Sequence, residues 1–354
     1  MPQVKELTGR MMKNMNMNNQ YLISICIPSY NRPSGIERLL KSVDSKHNDE
    51  IQIVICEDSA PKRLEVREVV HNFKKQSAYN TKYLENPLNY GHGRNMRECI
   101  LQADGEYIMF MGDDDMFIPD MFDKFYDFVI SNREVGYFLR SYAELKENNK
   151  VLFYRYYSSD IFFEQGVNTY VQLFGKSVSM SGFTIKRDFV RDFTIEIFDD
   201  TLLYQLYLVA EVSLNYPSAY CNTPFTYVIS DGGTFFGVNE KEKGKYIVGA
   251  KVSDNINFIV GRYKITEYID EKYKISSTQS IKDDTSKYCF YILAESRKYG
   301  IRHFRKQRKQ FFAAELNRTI YYYIYYYALL LLGRNISIAL INLIKNIVGR
   351  RLNL

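Results

Sequence analysis

Tryptophan is absent from the 354-residue sequence, and cysteine is scarce. Cys26, Cys56, Cys99, Cys221 and Cys289 lie far apart with no Cys-x-x-Cys pair among them. That spacing excludes a zinc or disulfide framework. Three of the five fall inside apolar segments and read as reduced core thiols in a cytosolic setting. Residues 1–20 are polar and rich in Asn and Met, without the apolar stretch that a secretory signal needs. They read as a disordered lead-in. No uninterrupted apolar run reaches the roughly 20 residues that cross a bilayer. No nucleic-acid recognition module accompanies the basic residues either.

What is present is an ordinary globular balance, 46% hydrophobic and 25% charged, in a length that suggests about two domains. The net charge of +6 hides an asymmetry. From Ile281 onward there are 14 Lys/Arg and 4 Asp/Glu, a balance of +10; the preceding residues hold 33 and 37, a balance of −4. The acidic and basic parts therefore call for separate accounts.

The acidic part is organised around one stretch. An apolar strand, Tyr107 to Met111, ends in Gly112 and three consecutive carboxylates, Asp113, Asp114 and Asp115. Three adjacent acids repel one another and need solvent or a counter-cation to ionise together. A divalent ion with oxygen ligands, Mg²⁺ or Mn²⁺, answers that need and would bring a diphosphate with it. The plainer reading is a solvated acidic turn before a helix that starts near Pro119.

Upstream, strand and helix patterns alternate. Tyr21 to Pro28 is a β-branched apolar run followed by the polar loop Ser29-Tyr30-Asn31-Arg32-Pro33 and a helix to about Ser45. Ile51 to Cys56 is a second buried strand, ended by Glu57-Asp58-Ser59. Lys62 to Gln76 reads as a helix and Thr81 to Leu84 as a strand. Asn89 to Asn95 is a glycine-containing loop into a helix from Met96 to Ala103. This order predicts an α/β fold, a mostly parallel sheet flanked by helices. The ligand crevice of such a sheet lies at the carboxyl ends of its strands, where Tyr30, Asn31, Asp58, Arg94, Asn95 and the three acids would converge.

Further on, Val135 to Arg140 and Val151 to Tyr156 read as strands and Gly166 to Phe174 as a helix. Ser179 to Ile185 reads as a strand whose small first residues permit close approach of a ligand. Leu202, Leu203, Leu206 and Val209 or Ala210 make an apolar stripe on a helix with Asp199-Asp200 at its start, a position that suits N-capping. Asp231 to Gly237 reads equally as a lid over a ligand or as a linker.

Four of these segments stand in a telling order: Ile25-Cys-Ile-Pro-Ser-Tyr-Asn-Arg32, Ile53-Val-Ile-Cys-Glu-Asp-Ser59, Asn89-Tyr-Gly-His-Gly-Arg-Asn95 and Gly105-Glu-Tyr-Ile-Met-Phe-Met-Gly-Asp-Asp-Asp115. In order and spacing they resemble the motifs of family 2 glycosyltransferases with the GT-A fold, over about Tyr21 to Tyr227. The three-Asp variant is similar to the branch that builds bacterial surface polysaccharides. The first acid of the family's usual pattern falls on Gly112, while Asp113 and Asp115 keep a D-x-D spacing.

The resemblance implies donor binding by Pro28, Tyr30, Asn31, Asp58, Arg94, Asp113 and Asp114, and a metal on Asp113 and Asp115. Asp58 would accept from the base of the nucleotide; as a residue alone it is also a turn-former before Ser59. Tyr30 offers a ring to stack on the base, and Arg94 a charge-assisted fork for base or diphosphate or else a surface ion pair. Asn95 reads as ordering its loop. The Asp199-Asp200 pair matches the family's Glu-Asp, which makes Asp200 the catalytic base of an inverting displacement.

The basic tail carries Arg302, Arg305, Lys306 and Lys309 on one helical face. Two apolar runs follow, Ile320 to Leu332 with six tyrosines and Ile336 to Val348, separated by Gly333-Arg334-Asn335. They read as interfacial helices on an anionic membrane surface, or as stripes that pack on the catalytic domain or a second copy of the chain.

The expected organisation is a lead-in over 1–20, a catalytic domain over 21–235, a helical extension over 236–300 and membrane-association helices over 301–354. The expected function is metal-dependent transfer of a sugar from a nucleotide-sugar donor, by default a UDP-sugar, to a lipid-linked surface glycan. The setting is the inner face of the cell membrane, with no nucleic-acid partner. The alternatives are a sugar-1-phosphate nucleotidyltransferase and an inactive membrane-tethered sugar-nucleotide-binding module. The former would want a glycine-rich basic loop after the first strand, which Ser29 to Pro33 is not.

Overall fold

The computed structural model describes residues 20–146, 151–191, 193–199, 202–229 and 252–348. Strand and helix alternate at the start: β1 (Tyr21–Ser29), α1 (Pro33–Lys41), β2 (Ile51–Glu57), α2 (Arg63–Gln76), β3 (Asn80–Glu85), α3 (His92–Gln102) and β4 (Gly105–Phe110). Shorter pieces follow: β5 (Met116–Phe117), α4 (Phe122–Ile130), β6 (Tyr137–Arg140), β7 (Tyr142–Leu145), β8 (Val151–Tyr154) and β9 (Ile161–Phe163). Then come α5 (Val167–Phe174), β10 (Phe183–Lys186), α6 (Arg187–Arg191), α7 (Tyr204–Asn215), β11 (Ser218–Cys221) and β12 (Thr226–Ile229). The remainder is helical: α8 (Val252–Tyr273), α9 (Thr278–Lys287), α10 (Phe290–Lys298), α11 (Ile301–Ala313) and α12 (Ile320–Val348).

The main sheet has eight strands in the order β3-β2-β1-β4-β10-β6-β11-β9. Its first four strands are parallel; β10 then runs antiparallel to both β4 and β6. The order reverses between β1 and β4, which makes their carboxyl ends the switch point where α/β sheets open a crevice. Every residue of β1 and β2 is buried, as their uninterrupted apolar runs require. Alternation still sorts the faces: Ile23, Ile25 and Ile27 enter the core beneath α1, α2 and α4, whereas Cys26 enters the core formed with α3, α5 and α7.

A second, four-stranded sheet, β5-β12-β7-β8, lies beside the first. Phe225, just before β12, stacks on Phe125 of α4 at 3.9 Å and ties this sheet to the second core. A third cluster joins Tyr263, Leu293, Phe304, Phe311, Tyr322, Tyr326 and Leu329 from α8, α10, α11 and α12. Helix α8 spans two clusters, since its Ile265 and Ile269 enter the core with α7.

The structure corrects several sequence expectations. Helix α3 begins at His92, so Gly93, Arg94 and Asn95 are helical and not in a loop; Gly91, at φ 84°, is the turn into it. Strand β10 begins at Phe183, because Gly182 takes φ 81° and the chain turns through Ser181 and Gly182, closed by the Phe183 amide on the Met180 carbonyl at 2.8 Å. Helix α7 begins at Tyr204, so Asp199 does not cap it. The two apolar tail segments join in one element, α12, with a non-helical Gly333 inside it. The lead-in up to residue 19, Asp200 and Asp231 to Gly237 lie outside the described residues.

Candidate active site

The polar groups gather where β1 and β4 end side by side. After Ser29 the chain turns through Asn31, whose φ of 63° is a left-handed conformation that Asn adopts more readily than most side chains. Its Oδ1 accepts from the Lys62 amide at 3.1 Å. The turn delivers Arg32 and starts α1 at Pro33, where a missing N–H costs nothing. Beyond β4, the Asp115 amide bonds back to the Gly112 carbonyl at 3.1 Å and closes the acidic turn.

Arg32 lies between two of the acids. Its Nη1 is 2.8 Å from Asp113 Oδ1 and its Nη2 3.1 Å from Asp114 Oδ2. The Tyr30 amide donates to Asp113 Oδ2 at 2.8 Å, and Arg38 of α1 donates to the Asp114 carbonyl. Asp115 has separate partners, accepting from the Ser181 hydroxyl and from the Ile229 amide at the end of β12, the latter at 3.0 Å. Ser181 Oγ in turn accepts from the Gly112 amide at 2.9 Å. Arg140 of β6, fully buried, donates to the carbonyls of Ser179 and Ser181 and so fixes the turn that presents that hydroxyl.

Two glycines make room for this cluster. A Cβ on Gly35 would run into the Asp113 carbonyl and lie 3.3 Å from Asp114 Cα. A Cβ on Gly112 would lie 2.9 Å from Asp114 Oδ1 and 3.0 Å from Asp115 Oδ2. An acid at 112 would therefore press on its neighbours.

The electrostatics follow from burial. Burial pushes Asp113 up to about 6, against the pull of Arg32, with the charge of Asp114 adding to the rise. Burial and the Asp114 charge push Asp115 up to about 7, against its bonds from Ser181 and Ile229. Arg32 is held above its ordinary value: burial lowers it, but the charges of Asp113 and Asp114 more than restore it. Three carboxylates meet two guanidiniums, so the ionised cluster keeps an excess negative charge.

A second hub sits at the end of β2. Asp58 Oδ1 accepts from the Tyr90 amide at 2.7 Å and from Asn86 Nδ2 at 2.9 Å, and its Oδ2 accepts from the Gly91 amide at 2.9 Å. Burial still lifts it to about 6 despite these three donors. Asn86 also donates to Asn95, whose own amide reaches the Cys56 carbonyl, so Asn95 orders this loop. Arg94 stacks over the Tyr90 ring at 3.6 Å and lies 3.6 Å from Glu98. The Asp58 amide donates to the Ser29 carbonyl at 3.0 Å, which joins this hub to the acidic cluster. Pro28 is a strand residue paired with Cys56.

Asp199 is bound by Arg97 of α3, with Nε to Oδ1 at 2.9 Å and Nη2 to Oδ2 at 2.7 Å. Arg32, Ser181, Arg140 and Asn86 were not singled out from sequence. Arg32 carried a signal as the cation within the polar loop opposite the acids, and Ser181 stood among the small residues read as permitting close approach of a ligand. Among the described residues, no three His, Cys, Asp or Glu side chains gather as a complete metal site. The donors that are present, hard carboxylate oxygens with uncompensated charge, still fit an ion such as Mg²⁺, which takes one or two carboxylates and completes its shell with phosphate oxygens and water.

Known proteins resemble this chain in sequence and in fold. The family model described as Glycosyl transferase family 2 matches residues 24–188. The abequosyltransferase RfbV of Salmonella typhimurium is 30% identical over 99 residues, which cover 28% of this chain and 30% of that protein. The GalNAc(5)-diNAcBac-PP-undecaprenol beta-1,3-glucosyltransferase of Campylobacter jejuni is 26% identical over 93 residues, covering 26% of this chain and 29% of that protein. The alignments thus span about a third or less of these relatives' lengths. Among solved structures, S. aureus TarS 1–349 in complex with UDP-GlcNAc superposes with a TM-score of 0.50 at 14% identity, covering 87% of this chain and 91% of that one. The fold is of the GT-A class, a nucleotide-sugar transferase architecture with a C-terminal helical region. The match to glycosyltransferase family 2 lies over residues 24–188, which run from β1 to β10 and include the acidic turn.

Proposed function

We propose that the chain transfers a sugar from a nucleotide-diphosphate donor, by default a UDP-sugar, to a hydroxyl of a lipid-linked surface glycan. The observation that carries this reading is the meeting of Asp113, Asp114 and Asp115 with Arg32 and Arg38 at the β1/β4 switch point. A divalent ion, Mg²⁺ or Mn²⁺, when bound, supplies the positive charge that stabilises a departing diphosphate. Asp113 and Asp115 would hold it. Arg32 would then exchange a carboxylate for the diphosphate, a fork it fits equally well. Asp58 holds Tyr90 and Gly91, the turn into the helix that carries Arg94, in place, with Pro28, Tyr30 and Asn31 on the same rim as the base-binding wall.

Asp200 would take the proton of the acceptor hydroxyl as its oxygen attacks the anomeric carbon. One displacement without a covalent intermediate inverts configuration. The tie between Asp199 and Arg97 supports the assignment, since it fastens the preceding residue to the helix that carries Arg94.

In this reading residues 21–235 are the catalytic unit, 236–300 a helical extension, and 301–354 the membrane-association segment on the inner face of the cell membrane. Ile320–Ile344 is long and apolar enough to cross a bilayer, with a mean hydropathy of 1.7. Yet Tyr322, Tyr326 and Leu329 are buried against α10 and α11, and α11 is strongly basic. Crossing would mean giving up that packing or taking charged neighbours into the hydrocarbon, so a position along the interface fits better.

Release of nucleoside diphosphate from nucleotide sugars, with and without Mn²⁺, tests the proposal. We expect metal-dependent turnover that falls at least about 100-fold in Asp200→Asn, the scale of a lost general base. Equal, metal-independent release by both proteins would overturn it.

A further inference from the structure

The helix break at Gly333 makes a second, separate site. Gly333 adopts φ 78° and ψ 175°, a conformation that a side chain rarely takes, and it divides α12 into two segments. Around the break is a pocket of ≈ 480 Å³ lined by Arg297, Lys298, Leu332, Gly333, Arg334, Asn335 and Ile336. Three of those residues are cations from two different helices. Arg297 is anchored by its Nε, which donates to the Leu329 carbonyl at 3.0 Å. Its Nη2 would lie 3.8 Å from a Cβ on residue 333, so the guanidinium end faces the break. Arg334 Nε is buried with no hydrogen-bond partner among the described residues.

Glu295 is the acid nearest this group, 3.3 Å from Lys298 Nζ and 3.8 Å from Arg334 Nη2. One carboxylate against three cations leaves a surplus of two positive charges. On both sides of the pocket the surface is apolar and open to solvent: Leu331 is 79% exposed and Ile336 57%, with Leu332 and Leu340 beside them. A cationic pocket set in an exposed apolar strip matches an amphiphile, an anionic head on a hydrocarbon chain, and not a sugar or a peptide.

We propose that Arg297, Lys298 and Arg334 bind the phosphate head of a membrane lipid, whose chain lies along Leu331, Leu332, Ile336 and Leu340. This deepens the membrane reading above, on which it rests, by naming one headgroup site in place of a diffuse charge. Arginine forks suit phosphate oxygens in two-point contact, and the three donors come from rigid helices. The exposed Arg302, Arg305, Lys306 and Lys309 on α11 would supply the unspecific attraction to anionic lipid.

The test is vesicle co-sedimentation of the full chain. Vesicles contain phosphatidylcholine alone, phosphatidylcholine with phosphatidylglycerol, or phosphatidylcholine with a phosphate-monoester lipid, phosphatidic acid, at matched surface charge. We expect the phosphate-monoester vesicles to bind several-fold more tightly than the phosphatidylglycerol vesicles. Lys298→Gln with Arg334→Gln should erase that preference while leaving the weaker, salt-sensitive binding. A quadruple Gln variant of the α11 cations should do the reverse. Arg297→Gln serves as a further variant, and melting temperatures screen every variant for folding. Inorganic phosphate at millimolar concentration separates the sources. If it stabilises the wild type while vesicles fail to bind, the lipid assignment is overturned. If both lipids bind alike, or all variants weaken in parallel, the pocket is not the site. Turnover of nucleotide sugar in solution reads the active site independently, so failure of one proposal leaves the other measurable.

Discussion

Single residues at the site carry opposing demands. Arg32 is the cation bonded to both Asp113 and Asp114, and Asp113 is almost wholly buried. Arg32→Ala would leave that carboxylate unpaired, with a cost of about 2–3 kcal/mol, below the figure for a fully buried pair because Asp114 is partly solvated. Mn²⁺ should restore more melting temperature in the variant than in the wild type, which a thermal melt with and without the ion would show. Asp58 makes a pH-dependent contribution. Its folded value of about 6 lies above that of the unfolded chain, so the native state holds a proton the unfolded chain has released. The associated stability is complete below about 4 and is lost as pH rises through about 6. The ligand-free melting temperature should fall from about pH 5 to about pH 7, where Asp113 and Asp115 contribute in the same sense, and Asp58→Asn should lessen that fall without abolishing it. Sequence made the acids legible because each ends an apolar run. It did not reveal Ser181 or Arg140, whose roles depend on a turn that brings residue 181 beside residue 115.

At the scale of elements, α1 and the acidic turn are fitted to each other at Gly35. Any side chain there meets the backbone of Asp113 and Asp114, which cannot move without carrying the acids with it. Gly35→Ala should cost about 1–3 kcal/mol and, if Asp113 holds the ion, weaken Mn²⁺ binding several-fold; titration calorimetry with the ion and nucleotide reads the second effect. The parallel strands were legible because β1, β2 and β4 are long buried runs bounded by polar turns. The second sheet was legible only in part: β8 falls within the strand read over Val151 to Tyr156. Its strands have four residues or fewer, and β12 pairs with β5 and β7 from distant parts of the chain, so no local pattern announces the sheet as a whole. Helix α7 was placed too early because an Asp pair resembles a cap, whereas Asp199 is held by Arg97 across the fold.

For the whole molecule, the division into an acidic front and a basic tail survives as a division of surfaces. The tail packs through one face of α12 and leaves Ile320, Ile324, Leu331, Ile336 and Leu343 exposed on others. Leu331→Glu with Ile336→Glu touches no buried contact, so melting should shift by no more than about 0.5 kcal/mol. Vesicle co-sedimentation should nonetheless fall to the weaker, salt-sensitive binding that the α11 cations supply, because each change removes apolar area and adds a charge that anionic lipid repels. The tail was legible in part. Its glycine joint stood out in the sequence, but the left-handed turn there and the guanidiniums around it required the helices to be assembled.

The five thiols also have a practical use. All are free and buried, and burial pushes the pKa of Cys26, Cys99, Cys221 and Cys289 above the ordinary thiol value, so little thiolate forms and they are slow to react with alkylating reagents. The native chain is thus a quiet background for labelling. A cysteine introduced at the exposed position 331 would be the one fast-reacting thiol among the described residues, and a fluorophore there would report how deeply the tail enters a bilayer.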